Sequence, residues 1–259
     1  MLITTSYHPG DAERDLARAL ARRLACPFVP RRRDTLYRLW RKYGPQPVLV
    51  ATTEGLRLYP PDSAEPFYFH PSTAYLRVTR MLNGGSDKLV EAAGAEPGDT
   101  VLDCTAGLGA DAIVFAHEVG PQGRVVALES EPLVAWIVGE GLASYQSGLE
   151  ELDAAMRRIE LVQADHASYL PALPDNSVDI VYFDPMFRES IESSIALSPL
   201  RKIANNRPLD PAVIREACRI ARKRVVLKEQ ASSGEFERLG FAIRQGSKSA
   251  RIAYGVIEC

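Results

Sequence analysis

The sequence predicts an α/β protein whose main domain is a seven-stranded, mostly parallel sheet with an antiparallel C-terminal hairpin. Three observations support this prediction. From about residue 66 onward, short apolar segments alternate with helical segments. The apolar segments are hydrophobic almost throughout, as expected for parallel strands covered on both faces. The last two segments are separated by a short turn, which is typical of a hairpin.

The first 65 residues follow a different pattern and predict a small α+β unit. Residues 1–7 are typical of a strand, and residues 10–25 place their apolar side chains near one face of a helix. Residues 47–59 are typical of a hairpin that turns at Glu54 and Gly55. We therefore expect a domain over residues 1–65, a candidate for substrate recognition, and a second domain over residues 66–259.

The main domain is expected to begin with helical residues 69–94. The strand segments that follow are residues 100–107, 124–130, 159–165, 178–184 and 223–230, and then two strands within residues 240–257. The helical segments between them are residues 111–120, 131–146 and 210–222. Gly246 and Ser247 are expected to form the turn of the final hairpin.

Composition excludes several classes of protein. The chain has 259 residues, 46% of them hydrophobic, so it can bury a full core, and its formal net charge of −2 gives no global attraction for nucleic acid. Its four cysteines are scattered without a CxxC pair, so neither a disulfide framework nor a metal site is expected. No apolar run is long enough to cross a bilayer, and we expect a reduced, cytoplasmic protein.

Basic residues are nevertheless concentrated in two places. The first cluster comprises Arg22, Arg23, Arg31, Arg32, Arg33, Arg38, Arg41 and Lys42. The second comprises Arg219, Arg222, Lys223, Arg224 and Lys228. Each cluster could hold phosphates or could be a solvated helix face.

A glycine-containing turn follows the first strand of the main domain. The strand ends at Asp103, and Thr105, Gly107 and Gly109 precede a helix that starts near Ala110. Glycine lets a ligand approach the backbone, and the start of a helix offers unpaired N–H groups. We therefore expect a ligand site here, at the carboxyl end of a parallel strand.

Two cofactor classes fit a glycine turn of this kind. A dinucleotide fold uses G-x-G-x-x-G, and Ala112 at the third position is compatible with that pattern. Asp103, however, would repel a phosphate and suits an ammonium group. S-adenosyl-L-methionine (SAM) carries an amino acid group and a sulfonium, so the sequence favours SAM over a dinucleotide.

Acids also follow the next two strands. Glu129 is placed to accept hydrogen bonds from both hydroxyls of a ribose, a role that serves either cofactor class. Asp165 could accept from an adenine amino group, and the backbone of Asp165 and His166 could contact the ring edge. His166 is expected to be a wall residue rather than a catalyst.

The segment VYFDPMF, residues 181–187, ends a further apolar strand with an acid, a proline and an aromatic residue. It resembles the D/N-P-P-Y/F motif of amino-directed methyltransferases. In that motif the acid side chain and the proline carbonyl accept from an exocyclic NH₂ group, and the aromatic ring stacks on the base. The resemblance implies catalytic roles for Asp184, Pro185 and Phe187. The alternative is a simple strand stop with Phe187 packed inside.

With these motifs, residues from Pro47 to the C-terminus resemble class I SAM-dependent methyltransferases with a Rossmann-like fold. More narrowly they resemble RsmJ, a family that methylates guanine N2 in small-subunit ribosomal RNA. The similar segments are DCTAGLGADAIVFA, ALESEPLVAWIVGEGL, VYFDPMF and LDPAVIREACRIARKRVVLK.

The resemblance implies a set of site residues. Cofactor contacts are implied at Ala110, Asp111, Glu129, Ser130, Asp165, His166 and Asp184, in addition to Asp103, Thr105, Gly107 and Gly109 from the turn. Substrate contacts are expected at Phe187, Arg188, Arg77, Arg80, Arg201 and Lys202, with Arg77 and Arg80 contacting RNA phosphates or the cofactor carboxylate. After DPMF, the run that starts at Arg188 departs from the Pro and Lys-rich family pattern.

The favoured function is methyl transfer from SAM to an exocyclic amino group of a nucleobase, with guanine N2 in ribosomal RNA as the first choice. Ribosomal RNA or the small ribosomal subunit is the expected partner, and the sequence leaves the oligomeric state open. The same chemistry on DNA or on a protein glutamine is an alternative. A nucleotide-binding oxidoreductase and a non-catalytic RNA-binding protein are two further alternatives, against which Asp103, Glu129 and Asp184 argue.

Overall fold

The structure is a computed structural model that describes residues 1–61, 63–185, 208–245 and 251–259. The described residues form two compact units. The first is Met1–Phe69, and the second is the described part of the chain from His70 onward.

The N-terminal unit contains a small three-stranded sheet, as the predicted α+β unit requires. Its elements are β1 (Leu2–Thr5), α1 (Asp11–Arg23), α2 (Leu36–Tyr43), β2 (Val48–Thr52) and β3 (Gly55–Tyr59). Strand β1 pairs with β2 in parallel, and β2 pairs with β3 in the antiparallel hairpin that the sequence predicts.

Helix α2 is an element that the sequence analysis did not predict. The hydroxyl of Thr35 accepts a hydrogen bond from the Arg38 N–H at 3.2 Å and so caps the helix start. Leu39 is fully buried against the side chains of Leu2 and Val48. A local cap and one apolar face therefore form a helix within a passage rich in proline and arginine.

The second unit contains the large sheet and its helices. The strands are β4 (Thr100–Asp103), β5 (Arg124–Glu129), β6 (Ile159–Gln163), β7 (Val178–Phe183), β8 (Ala221–Gln230), β9 (Ala242–Gln245) and β10 (Ile252–Glu258). The helices are α3 (Thr73–Leu82), α4 (Lys88–Ala93), α5 (Ala110–Val119), α6 (Pro132–Ser144), α7 (Glu150–Arg157), α8 (His166–Tyr169), α9 (Pro211–Ile220) and α10 (Glu235–Leu239). A short 3₁₀ helix, Leu170–Ala172, follows α8.

The strand order of the large sheet is β6-β5-β4-β7-β8-β10-β9. Strands β4 to β8 pair in parallel, and β10 runs antiparallel to both of its neighbours, β8 and β9. This confirms the predicted seven-stranded, mostly parallel sheet with an antiparallel C-terminal hairpin. The predicted turn at Gly246 and Ser247 lies outside the described residues.

The central strands of this sheet are its core. Val101 and Leu102 of β4, Tyr182 and Phe183 of β7, and Val226 of β8 are all at most 1% exposed. The chain leaves β4 toward β5 on one side and returns to β7 on the other, so the strand order reverses at β4. Open α/β sheets bind their ligands at the carboxyl edge beside such a reversal.

The described part of the chain holds neither a helix with the length and apolar character of a membrane span nor a His, Cys, Asp and Glu cluster suited to a metal ion.

Gly255 lies in β10, next to the edge strand β9, where the side chains of Phe236 and Phe241 pack closely against it. A Cβ atom there would lie 2.5 Å from Cδ1 of Phe236 and 2.8 Å from Cβ of Phe241, and both of these residues are buried. We expect Gly255→Ala to lower the free energy of unfolding by about 1–3 kcal/mol, measured by urea denaturation. The matched control is Gly234→Ala, because no atom lies within 4 Å of a Cβ there. Equal stability of the two variants would contradict this packing.

Candidate functional site

Three acids lie at the carboxyl ends of neighbouring strands. Asp103, the last residue of β4, pairs with Ala127 of β5 on one side and with Tyr182 of β7 on the other. Glu129 ends β5, and Asp184 follows the end of β7. Parallel pairing therefore brings Asp103, Glu129 and Asp184 to one edge of the sheet.

The glycine turn between β4 and α5 lies at the same edge. Gly107 and Gly109 have φ values of +51° and +77°, in the left-handed region that favours glycine. A Cβ on Gly107 would have the Thr105 carbonyl oxygen, 4.0 Å away, as its nearest neighbour, so the space beside the turn is open. Helix α5 starts at Ala110 and directs the unpaired N–H groups of its first turn toward this edge.

The carboxylate of Glu129 is held against the glycine turn. Its Oε2 accepts the Gly107 N–H at 3.1 Å, and its Oε1 accepts the Glu131 N–H at 2.8 Å. Burial raises the pKa of Glu129. Since each carboxylate oxygen can accept a second hydrogen bond, the fixed carboxylate can still bind a pair of ligand hydroxyls.

Asp103 is a buried carboxyl at the base of the turn. It is 1% exposed, and its Oδ1 accepts the Thr105 N–H at 3.0 Å. Burial raises the pKa of Asp103 to about 8, and the nearby carboxylates of Asp111 and Asp184 act in the same direction. Among the described residues no lysine or arginine forms an ion pair with Asp103, so a cationic ligand group would stabilise its ionised form.

Asp111 lies in the first turn of α5 and is surrounded by protein partners. Its Oδ2 accepts from Lys228 Nζ at 2.8 Å and from the Tyr182 hydroxyl at 2.8 Å, and its Oδ1 accepts from Arg77. Burial alone would raise its pKa, but Lys228 and Arg77 hold the pKa of Asp111 well below its usual range. The Asp111 carboxylate is therefore ionised and accepts from three protein donors, while the backbone N–H groups of this turn are available for ligand contacts.

Lys228 near the end of β8 joins this cluster to Asp184. Its Nζ lies 2.8 Å from Oδ2 of Asp111 and 2.7 Å from Oδ2 of Asp184. The Asp184 side chain remains 25% exposed, and its backbone N–H donates to the Thr105 hydroxyl at 2.6 Å. Burial and repulsion from Asp111 outweigh Lys228 and raise the pKa of Asp184 to about 6. Asp184 is thus a fixed carboxyl that titrates near neutral pH and that an outside donor can reach.

Arg77 and Arg80 of α3 both contact Asp87. Arg77 donates to the two Asp87 oxygens at 2.8 and 2.7 Å, and Arg80 reaches Oδ2 of Asp87 at 3.1 Å. The Arg77 side chain is 16% exposed, whereas that of Arg80 is 55% exposed. The structure thus places Arg77 within the buried ion pairs and Arg80 at the surface, and their ligand contacts stay predictions.

Three further residues predicted to contact the cofactor follow the ends of β5 and β6, and four predicted to contact the substrate are not described by the structure. Ser130 directly follows β5. The Asp165 carboxylate accepts the Ala167 N–H at 2.8 Å and so caps α8. The His166 ring lies edge-on to Phe183 with 5.7 Å between centroids, and burial lowers its pKa, which suits a neutral wall residue. Phe187, Arg188, Arg201 and Lys202 lie outside the described residues.

Lys228 and Tyr182 are site residues that the sequence patterns did not indicate. In the sequence, Lys228 belongs to the second basic cluster and Tyr182 to an apolar strand. The available signal was a lysine near the carboxyl end of an apolar parallel strand, because that end faces the same edge as the acids.

Comparison with known proteins agrees with this geometry. The SAM_MT family model, which describes SAM-dependent methyltransferases, matches residues 36–253. The protein YpiP of Bacillus subtilis is 44% identical over 257 residues, which cover 99% of each chain.

Two further similarities are more distant. Ribosomal RNA small subunit methyltransferase J of Aeromonas salmonicida is 32% identical over 198 residues, 73% of this chain and 78% of that protein. The crystal structure of a SAM-dependent methyltransferase from Neisseria gonorrhoeae has a TM-score of 0.64 at 23% identity, covering 100% of this chain and 96% of that one. The latter similarity establishes the fold.

The raised pKa of Asp103 predicts a pH-dependent stability. Between the unfolded pKa near 4 and the folded pKa of about 8, the folded protein retains a proton that the unfolded chain has released. Asp103 therefore costs the protein about 1.4 kcal/mol of stability per pH unit as pH rises through this window.

Asp103→Asn removes this titration and keeps an oxygen for the Thr105 N–H. We expect the stability of the variant relative to the natural protein to increase from about pH 5 to about pH 8 and then to level off. Urea unfolding without ligand at a series of pH values measures the difference. A difference that does not change with pH would contradict the buried, unpaired state of Asp103.

Proposed function

We propose that this chain, which belongs to the SAM_MT family of SAM-dependent methyltransferases, transfers a methyl group to an exocyclic amino group of a nucleobase, specifically guanine N2 in small-subunit ribosomal RNA. The observation that carries the proposal is the position of Asp184 and Pro185. They emerge from β7 directly beside the glycine turn that follows β4.

The residues at this edge fit SAM. The Asp103 carboxyl suits the ammonium group, the Glu129 carboxylate suits the ribose hydroxyls, and the N–H groups at the start of α5 suit a carboxylate. The open space at Gly107 permits a ligand close to the backbone. Ser130, Asp165 and His166 are proposed to line the adenosine side. When bound, SAM supplies an electrophilic methyl group on a sulfonium.

The acceptor nitrogen is proposed to bind at Asp184 and Pro185. The Asp184 carboxylate and the Pro185 carbonyl are two acceptors next to each other in the chain, and together they can orient an NH₂ group by accepting its two N–H bonds. Guanine N2 is not basic, so its orientation matters more than a strong base. As the N–C bond forms and the S–C bond breaks, the nitrogen must lose one proton, which Asp184 accepts and passes to water.

Lys228 is proposed as a positioning residue for Asp184. Its 2.7 Å ion pair fixes one carboxylate oxygen, and its positive charge favours the ionised form that accepts N–H bonds. Asp111 holds Lys228 in turn, and Asp111 is itself fixed by its ion pair with Arg77. The chain of ion pairs therefore connects α3, α5 and β8 to the acceptor.

The choice of ribosomal RNA rests on the relatives and on the motif. The relatives at about 30% identity are named ribosomal RNA small subunit methyltransferase J, and the chain covers more than two thirds of two of them. VYFDPMF resembles the substrate motif of that family. Phe187, proposed to stack on the base, and Arg188, Arg201 and Lys202, proposed to contact RNA, lie outside the described residues.

Methyl transfer from radiolabelled SAM tests this function. Small-subunit particles, naked ribosomal RNA, transfer RNA, DNA and protein are incubated separately, and the labelled pool is digested to nucleosides or amino acids. We expect N2-methylguanosine from small-subunit RNA. Label only in another pool would overturn the RNA assignment, and label in no pool would overturn the transferase assignment.

Two substitutions separate catalysis from cofactor binding. Asp184→Ala should lower the rate of transfer at least about 100-fold and leave the SAM dissociation constant within about twofold. Glu129→Ala should instead weaken SAM binding by about ten- to a hundredfold, because a charged hydrogen-bond acceptor is lost. Isothermal titration and initial rates measure the two effects.

The matched control for these variants is Glu160→Ala, which removes a carboxylate that is 52% exposed and paired with Arg124. This variant should change neither the rate of methyl transfer nor the SAM dissociation constant. Full turnover by Asp184→Ala would show that the catalytic assignment is wrong.

If Lys228 positions Asp184, replacing Lys228 should change how the rate of methyl transfer depends on pH. The carboxylate form of Asp184 increases as pH rises through its pKa of about 6, so the single-turnover rate should rise over the same range and then level off. Loss of the Lys228 charge raises the pKa of Asp184 further. We therefore expect Lys228→Met to move the rise to higher pH, and Lys228→Arg to restore much of the natural profile.

A merely structural role for Lys228 would lower the rate equally at every pH. An unchanged midpoint in active Lys228→Met would therefore contradict the positioning role.

A further inference from the structure

We infer that the N-terminal unit carries a docking surface for single-stranded RNA on the exposed side of α2 and the turn before it. This inference rests on the proposed function, because it names the part of the chain that holds the same substrate. The surface, called here the α2 face, consists of Arg32, Arg33, Tyr37, Arg38, Arg41 and Lys42, all exposed.

Helix α2 is two-sided. Leu36, Leu39 and Trp40 pack toward the small core formed with β1 and β2. The Trp40 indole N–H donates to the Gln46 carbonyl at 2.9 Å, which fixes this side of the helix. The polar residues of the helix are consequently directed to the other side, and the α2 face is set by the packing rather than by chance exposure.

Among the residues that the structure describes, the cations of the α2 face have no acidic partner. None of the ion pairs within the described chain involves its four arginines or Lys42. Arg38 lies three and four residues before Arg41 and Lys42, the spacing at which like charges on a helix destabilise it. A bound polyanion would remove this repulsion.

Basic residues in two other parts of the described chain do form ion pairs with acidic residues. In α1, Arg14 contacts Asp11 at 2.8 Å and Arg18 contacts Asp15 at 3.7 Å. The second basic cluster is also paired. Its ion pairs join Arg219 to Asp175 and Glu216, Arg222 to Asp179, Lys223 to Glu96 and Asp99, Arg224 to Glu258, and Lys228 to Asp111 and Asp184. Within the described residues, the exposed cations that form no ion pair are therefore grouped at the α2 face and not in the second basic cluster.

Exposed tyrosines accompany these cations. Tyr37 is 64% exposed and Tyr43 is 40% exposed, at opposite ends of α2. The Lys42 ammonium lies 5.2 Å from the centre of the Tyr43 ring. Aromatic rings beside cations bind single-stranded nucleic acid, since the rings stack on unpaired bases while the cations contact phosphates.

These features favour single-stranded RNA over other polyanions. In a duplex the bases stack on one another, so its phosphates would contact the cations but no base would be free to stack on the tyrosine rings. An acidic protein surface would likewise leave the tyrosine rings without a role. The chain as a whole has a net charge of −2, so attraction for RNA must come from a local surface such as this one.

Fluorescence anisotropy with a short fluorescein-labelled single-stranded RNA and the full chain tests the inference. The double variant Arg38→Gln with Arg41→Gln should weaken binding about tenfold or more. It should also reduce the slope of log Kd against log salt by about 1.4, since each single-strand phosphate contact contributes about 0.7. Tyr37→Ala should weaken binding and leave the salt slope unchanged, because stacking releases no counterions.

The matched control is Arg18→Gln with Arg22→Gln on α1, which removes the same charge from exposed positions of the same unit. It should alter binding much less than the α2 pair. Equal effects of the two pairs, or no effect of the α2 pair, would overturn the inference. An acidic peptide, poly-glutamate, that displaced the RNA at equal charge concentration would also overturn it, in favour of a protein partner.

The binding assay involves no methyl transfer, so its result is separate from that of the proposed function. RNA that is methylated but bound equally by the natural and α2 variants would refute the docking surface alone. RNA that binds through α2 but is never methylated would refute the proposed function alone.

Discussion

The site depends on one interaction, the contact of the Lys228 ammonium with both Asp111 and Asp184. Removing these groups from water is costly, and the cost is offset because Lys228 and Arg77 together face Asp111. The contact connects β8 with the start of α5 and with the end of β7. Loss of Lys228 would leave the Asp184 carboxylate without an ion pair among the described residues, so this contact fixes the acceptor side of the edge.

The carboxyl groups on the cofactor side of this edge and the carboxyl group on its acceptor side have different electrostatic environments. On the cofactor side, no ion pair among the described residues involves Asp103, and two backbone N–H groups hold Glu129. Both carboxyl groups are therefore available to ligand donors. On the acceptor side, Asp184 is paired with a cation but still a quarter exposed. A carboxyl without a cation suits a positively charged cofactor group, whereas a paired carboxyl with a pKa near neutral suits a neutral amino group.

The sequence alone was sufficient to predict those strands and helices that follow from local hydrophobic patterns. Apolar runs mark the strands, and the parallel arrangement then brings Asp103, Glu129 and Asp184 to one edge without any further information. Helix α2 was missed because its eight residues lie in an arginine-rich passage where one cap and one buried leucine decide the structure. The position of Lys228 near the carboxyl end of β8 was enough to place it at this edge. Its partners could not be identified from the sequence, because Asp111 lies 117 residues away in the chain and the pairing depends on the folded sheet.

Whether Lys228 controls the ionisation of Asp184 can be measured by ¹³C NMR titration of the aspartate carboxyl carbons. Spectra of the natural protein and of Lys228→Met are compared, with Asp184→Asn to assign the resonance. We expect a pKa of about 6 for Asp184 in the natural protein and a pKa at least about one unit higher without the lysine. An Asp184 pKa that is unchanged by the loss of Lys228 would contradict this expectation.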